Sequence, residues 1–158
     1  MITNKDLQII AHLRQDSRKN LTLISKEIAM PISTLFDRIK RYNNSIITRN
    51  TVLVDFKKLG YNMKLNILIK TKTESRDRLR KFLEDNVNIN SIYRVNNGYD
   101  FIIEGIFKNL IQVQAFEDTL EQYDIQAMQQ FYILEEVKEE GFISQPDMIE
   151  SLSRKNTV

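Results

Sequence analysis

The chain has 158 residues, 42% of them hydrophobic and 28% charged, enough apolar material for one sizeable core or two small ones. It has no cysteine and one histidine, His12, which excludes disulfides, thiolate metal sites, cysteine nucleophiles and polyhistidine clusters. Nine basic residues against four acidic ones in residues 1–50, eleven of each in 51–134, and three against six in 135–158 describe a basic front, a neutral body and an acidic end, the pattern of a nucleic-acid module joined to something else.

The opening MITNKDLQII carries no signal-peptide pattern, and no apolar run reaches the roughly 18 to 20 residues of a membrane span. A cytoplasmic protein with no membrane contact, cofactor or metal is expected. Thr3 and Asp6 stand at capping-box spacing. Leu7, Ile10 and Leu13, with Ile9 alongside, then predict a helix over about 4–15, with His12 on its surface or half-buried. Asn20 is a plausible N-cap for a second helix bearing Leu21, Ile24 and Ile28 on one face. Met30 before Pro31 breaks that helix, and Pro31 can begin the next. The third helix, about 32–43, turns Leu35, Ile39 and Tyr42 inward.

Three short helices with a tight turn between the last two make a helix-turn-helix shape. On the third helix Thr34, Arg38 and Arg41 share the opposite face, with Ser33 at its start and Lys40 at its flank. Hydroxyls and arginines in that arrangement suit entry into a major groove of double-stranded DNA. Asp37 is discordant, because it repels phosphate unless paired. The following SIITRNTVLVDF, around Arg49, is β-rich and predicts a wing or exit strand.

From Leu65 the rhythm changes. KLNILIKTK predicts a strand, SRDRLRKFLEDN a helix with Leu79, Phe82 and Leu83 inward, and NINSIYRVNN and YDFIIEGIF two strands meeting at a turn with Asn97 and Gly98. NLIQVQAFEDTLEQY predicts a helix striped by Leu110, Val113, Phe116 and Leu120, and IQAMQQFYIL a last strand. The order βαββαβ is a ferredoxin-like split unit whose first and third strands are central. Both are apolar on two faces (Ile67 and Ile69 against Leu68; Phe101 and Ile103 against Ile102 and Ile106). One face is left for a second subunit, so a homodimer through this domain is expected. The end of the chain is acidic and polar; PDMIESL can form one short helix, with mobile residues after it.

Over residues 3–140, the segments KDLQIIAHLRQDSRKNLTLISKEIAM, STLFDRIKRY, VDFKKLGY and NNGYDFIIEG, in this order and at these separations, resemble the Lrp/AsnC, or feast/famine, transcription regulators. The resemblance implies an α+β chain: an N-terminal (winged) helix-turn-helix domain joined by a linker strand to a C-terminal ferredoxin-like βαββαβ domain that dimerises and senses small molecules. It sets residues 1–50 as the DNA-binding domain, 51–62 as the linker strand, 63–138 as the dimerisation and effector domain and 139–158 as a tail. By residue match Ser33, Thr34, Arg38 and Arg41 face DNA. Gly98 and Asp100, with Asn97 and Tyr99 beside them, lie near an amino-acid effector pocket, and assembly reaches beyond the dimer to tetramer or octamer. Gly98 permits a positive φ, and Asp100 can accept hydrogen bonds from an ammonium group.

The chain departs from the family pattern in three places: Pro31 stands where a capping serine is usual, NNSII lacks a glycine before the wing, and about twenty C-terminal residues extend beyond the usual end. Two other readings compete. Sirohaem decarboxylases share the two-domain layout, but their sites resemble a histidine- and arginine-bearing pocket, and here no histidine follows His12 to partner Arg94. A ligand-sensing or scaffold dimer that no longer binds DNA is the other.

Overall fold

The computed structural model describes residues 2–43, 45–149 and 151. It divides the chain into two units, one of Met1–Val52 with Val137–Val158 and the other of Leu53–Glu136. In the first, α1 (Asn4–Gln15), α2 (Leu21–Glu27) and α3 (Ile32–Asn43) follow the expected bounds. The Thr3–Asp6 capping box forms: the Thr3 amide donates to Asp6 Oδ2 at 2.7 Å and the Asp6 amide to Thr3 Oγ1 at 3.3 Å. Two orphan donors at the start of α1 are thereby satisfied. Asn20 caps α2 through the Thr22 amide at 2.8 Å. Between α2 and α3 the chain turns through Ala29 at φ 49°. Pro31, which has no N–H to leave unpaired, accepts the Leu35 amide at 3.0 Å.

The core of this unit is Ile9, Ile24, Ile28, Met30, Leu35 and Tyr42, with Leu13, Ile10, Leu21, Ile39 and Ile47 packed around it. The inward stripe of α1 therefore centres on Ile9, and Leu7 lies off it. His12 is buried, contrary to the surface or half-buried placement expected. Its Nδ1 lies 3.2 Å from Lys19 Nζ and its Nε2 3.3 Å from Glu27, which Lys19 also pairs at 2.7 Å.

No wing, exit strand or linker strand is present among the described residues. After α3 the amides of Ser45, Ile46 and Ile47 all reach the Tyr42 carbonyl, at 3.0, 2.9 and 2.8 Å. Residues 47–55 then carry no regular structure, and Phe56–Leu59 forms a 3-10 turn closed by Gly60 at φ 88°. The stretch has the β-branched residues of a strand, but a strand needs a neighbour for its N–H and C=O groups. Val52, Leu53 and Val54 are exposed instead.

The second unit runs β1 (Met63–Thr71), α4 (Arg76–Asp85), β2 (Ile89–Arg94), β3 (Phe101–Phe107), α5 (Leu110–Leu120) and β4 (Ile125–Tyr132). The four strands form one antiparallel sheet in the order β2-β3-β1-β4, so β1 and β3 are central. Alternation along β1 and β3 sends Leu65, Ile67, Ile69, Phe101 and Ile103 to one face, into a core with Leu79, Leu83, Val113, Phe116 and Leu120. Phe82 stacks on Tyr123, with ring centroids 4.9 Å apart. Leu110, the first residue of α5, does not join its stripe and is exposed. The other face carries half-buried Leu68 and Ile102 in register, flanked by exposed Tyr93 and Phe131.

Past β4, Pro146–Met148 is a 3-10 turn. The remainder of the short helix expected over PDMIESL falls partly, and the mobile end expected after it wholly, outside the described residues.

Candidate functional site

The outward surface of α3 carries Ser33, Thr34, Phe36, Asp37, Lys40 and Arg41, all exposed. The 100° advance of a helix explains it: with Leu35, Ile39 and Tyr42 inward, the arc centred on Ser33, Asp37 and Lys40 points out. Neither Lys40 nor Arg41 has an ion pair among the described residues; the Arg41 guanidinium lies 5.8 Å from the Tyr42 ring centroid. Asp37 is likewise unpaired, so it takes its negative charge to whatever α3 meets. Arg49 is exposed in the irregular stretch after α3.

Arg38 is placed differently from the sequence-based expectation. It sits at the flank of the arc, half-buried, and its Nη1 pairs with Asp6 Oδ1. The Tyr42 hydroxyl donates to the same oxygen, and the Thr3 hydroxyl donates to Oδ2 at 2.7 Å. Burial by itself would raise the Asp6 carboxyl pKa. Hydrogen bonds from Tyr42, from the Thr3 amide and hydroxyl, and from Arg38 outweigh it and hold the carboxyl well below the usual carboxylate range. Burial, then the bond to Asp6, pushes the Tyr42 phenol up. This network ties α1 to α3, so Arg38 acts first as a fastener. The helical wheel held the signal, since Arg38 adjoins the Leu35–Tyr42 face, and a carboxylate was needed to meet it. The exposed aromatic Phe36 was missed altogether.

In the second unit Asn97 and Gly98 occupy the left-handed region, at φ 62° and 87°. Asn-Gly adopts this pair of conformations readily, and it closes the β2–β3 turn; the Val95 amide reaches the Asp100 carbonyl at 3.1 Å. Gly98, Tyr99 and Asp100 line a depression of about 500 Å³ together with Lys70, Lys72 and Arg76. Asn97 stands exposed at the turn tip and does not line it. The Asp100 carboxylate already has partners: Arg76 Nη2 at 2.7 Å on Oδ1 and the Thr71 amide at 3.0 Å on Oδ2. The acceptor expected for an ammonium group is thus engaged inside the domain, and the three lining cations stand beside a second carboxylate, Glu74.

A scan against models of known families finds no match. Against individual proteins, the chain is 32% identical to the HTH-type transcriptional regulator FL11 of Pyrococcus furiosus over 114 residues, 72% of this chain and 76% of that one. The chain belongs to the Lrp/AsnC family of helix-turn-helix transcription regulators. The fold agrees. LrpC of Bacillus subtilis superposes with a TM-score of 0.80 at 23% identity over 87% of this chain and 98% of that one. A Neisseria meningitidis transcriptional regulator in complex with L-methionine superposes with a TM-score of 0.81 at 17% identity, over 88% and 94%. The α+β architecture, three-helix module followed by ferredoxin-like domain, is the family's, and the chain is a DNA-binding transcription regulator. Among the described residues no helix is long and apolar enough to cross a membrane.

Proposed function

We propose that α3 reads double-stranded DNA through Ser33, Thr34, Lys40 and Arg41, with Arg49 on the flanking backbone and Arg38 holding the helix in position. The observation that carries this reading is the unengaged outward face of α3: two hydroxyls at its leading end and two cations without an ion pair in its last turn. Hydroxyls can touch base edges or phosphate, and the cations neutralise phosphates.

Dimerisation through the ferredoxin-like sheet supplies the second half-site. The uncovered sheet face supports it, with its row of Tyr93, Ile102 and Leu68, and so does the strand-like stretch 47–55, whose backbone groups need a partner. Tetramers or octamers are the larger assemblies open to such dimers. The depression beside Gly98 takes a small carboxylate-bearing effector such as an amino acid, its carboxylate meeting Lys70, Lys72 and Arg76. Effector binding shifts assembly or domain geometry and with it DNA affinity.

The test is fluorescence-polarisation titration on the DNA upstream of the reading frame at several salt concentrations. Lys40→Ala/Arg41→Ala should weaken binding and lower the slope of log K against log salt by about 0.9 for each phosphate no longer neutralised. Equal, weak binding of wild type and variant to any DNA would leave α3 as a charged surface. In parallel, Ile102→Asp should shift the molecular mass measured by light scattering from dimer to monomer; an unchanged mass would move the interface elsewhere.

A further inference from the structure

The side of α1 that faces away from Ile9 is covered, and the three-helix core does not account for it. On a helix Leu7, Ala11 and Arg14 share one face, while Ile9 and Leu13 share the opposite one. Ala11 is nevertheless 0% exposed and Leu7 is half-buried. Arg14 Nη2 donates to the Glu140 carboxylate at 2.7 Å and to the Glu140 carbonyl at 3.1 Å. The 3-10 turn Pro146–Met148 packs against α1. Ile149, next to it, is 0% exposed yet belongs to neither of the two apolar cores.

Between these anchor points the segment is held in a defined shape. Glu140 and Ile143 adopt φ of 47° and 50°, a region that a β-branched residue enters only when its surroundings impose it. The Ser144 hydroxyl donates to the Gly141 carbonyl, and the Met148 amide to the Gln145 carbonyl, both at 3.1 Å. A solvated acidic tail has no reason to bury an isoleucine, pair with a distant arginine and hold two left-handed residues at once.

We propose that residues 137–149 are a clasp. The outer face of α1 is an internal docking surface, and its occupant is the end of this same chain, returning after the ferredoxin-like domain is complete. Arg14 receives Glu140, and Ile149 supplies the apolar anchor. The clasp braces α1, α1 carries Asp6, and Asp6 fastens Arg38 of α3. The end of the chain therefore helps to hold the reading helix without touching DNA. That last consequence rests on the DNA-binding reading above; the docking itself does not.

The test uses the full-length protein and Ile149→Asp, Arg14→Glu, Glu140→Arg and the double charge reversal. Chymotrypsin cleavage after Phe142 reports release, because that ring is exposed but its backbone must open to enter a protease. When opening is fast, cleavage follows the open population, so Ile149→Asp should be cut about tenfold faster than wild type. Each single reversal should be cut faster by a few-fold, and the double reversal should return most of the way. Wild type cut as fast as Ile149→Asp, or a double reversal cut as fast as the singles, overturns the clasp.

DNA titration then reads the consequence. Ile149→Asp should bind about three- to tenfold more weakly with an unchanged salt slope, because the cations that neutralise phosphate are untouched. Unchanged affinity overturns the bracing role, and a changed slope places the segment against the DNA phosphates instead. If no variant and no wild type binds any DNA, the DNA-binding reading fails, while the cleavage rates still decide the clasp.

Discussion

Each unit hides one carboxylate beside an arginine, and the two pairs do different things. Asp6 is 3% exposed and receives Arg38, Tyr42 and Thr3, so four groups from the two ends of a three-helix unit converge on one side chain. Asp100 is 9% exposed and receives Arg76 and the Thr71 amide, which pins the β2–β3 turn to the end of β1 and the start of α4. The first pair adds a polar tie between α1 and α3, which also share the apolar core of Ile9, Leu35 and Tyr42. The second shapes the wall of a depression inside a sheet domain already held by four paired strands. In a helical unit a side-chain network of this kind ties one helix to another, whereas a sheet domain spreads its load over a ladder of backbone bonds.

The largest test of that contrast is Asp6→Ala. It leaves Arg38 and the Tyr42 hydroxyl without their acceptor and should destabilise the helix-turn-helix unit by about 2–4 kcal/mol, read as an earlier first transition in urea unfolding. A loss below about 1 kcal/mol would break the comparison. Asp100→Ala should cost the second unit less, about 1–2 kcal/mol, because two groups lose their acceptor rather than four and the sheet remains paired.

The acid limb sharpens the contrast. The Asp6 carboxyl is depressed in the fold, so its contribution is fully present above the unfolded value, about 4, and drains away as pH falls below it. Asp6→Asn should flatten that acid dependence in the first unit's unfolding midpoint between about pH 5 and pH 2. A wild-type slope retained in the variant would assign it to other groups. The smallest effect is on the exposed surface. Arg41→Ala should leave stability within about 0.5 kcal/mol, whereas Arg38→Ala should lower it along with DNA affinity. Equal melting curves for the two would make Arg38 a plain surface cation.

Much of this could be read from residue order. The caps at Thr3 and Asn20, the break at Met30–Pro31, and the inward triads Leu35–Ile39–Tyr42 and Val113–Phe116–Leu120 are local patterns, and local geometry obeys them. The Asn97–Gly98 turn was legible for the same reason. The burial of His12, the exposure of Leu110 and the absence of strand in 47–55 were not, since each depends on what lies across space. The seat of the acidic end on α1 was equally hidden: nothing in EEVKEEGFISQPDMI announces that Glu140 has an arginine waiting and Ile149 a place to be buried.

The amino-acid order by itself determined the elements, the βαββαβ succession, the inward faces and the family, because spacing along the chain sets which side chains share a surface. Only the tertiary structure decided which charges remain free. Arg38 and Arg41 are three residues apart on one helix and identical in chemistry, yet one meets the Asp6 carboxylate and the other stays exposed beside the Tyr42 ring, with no carboxylate partner among the described residues. Partnership between side chains more than thirty residues apart is a property of packing, and packing alone separates a fastener from an arginine left on the surface.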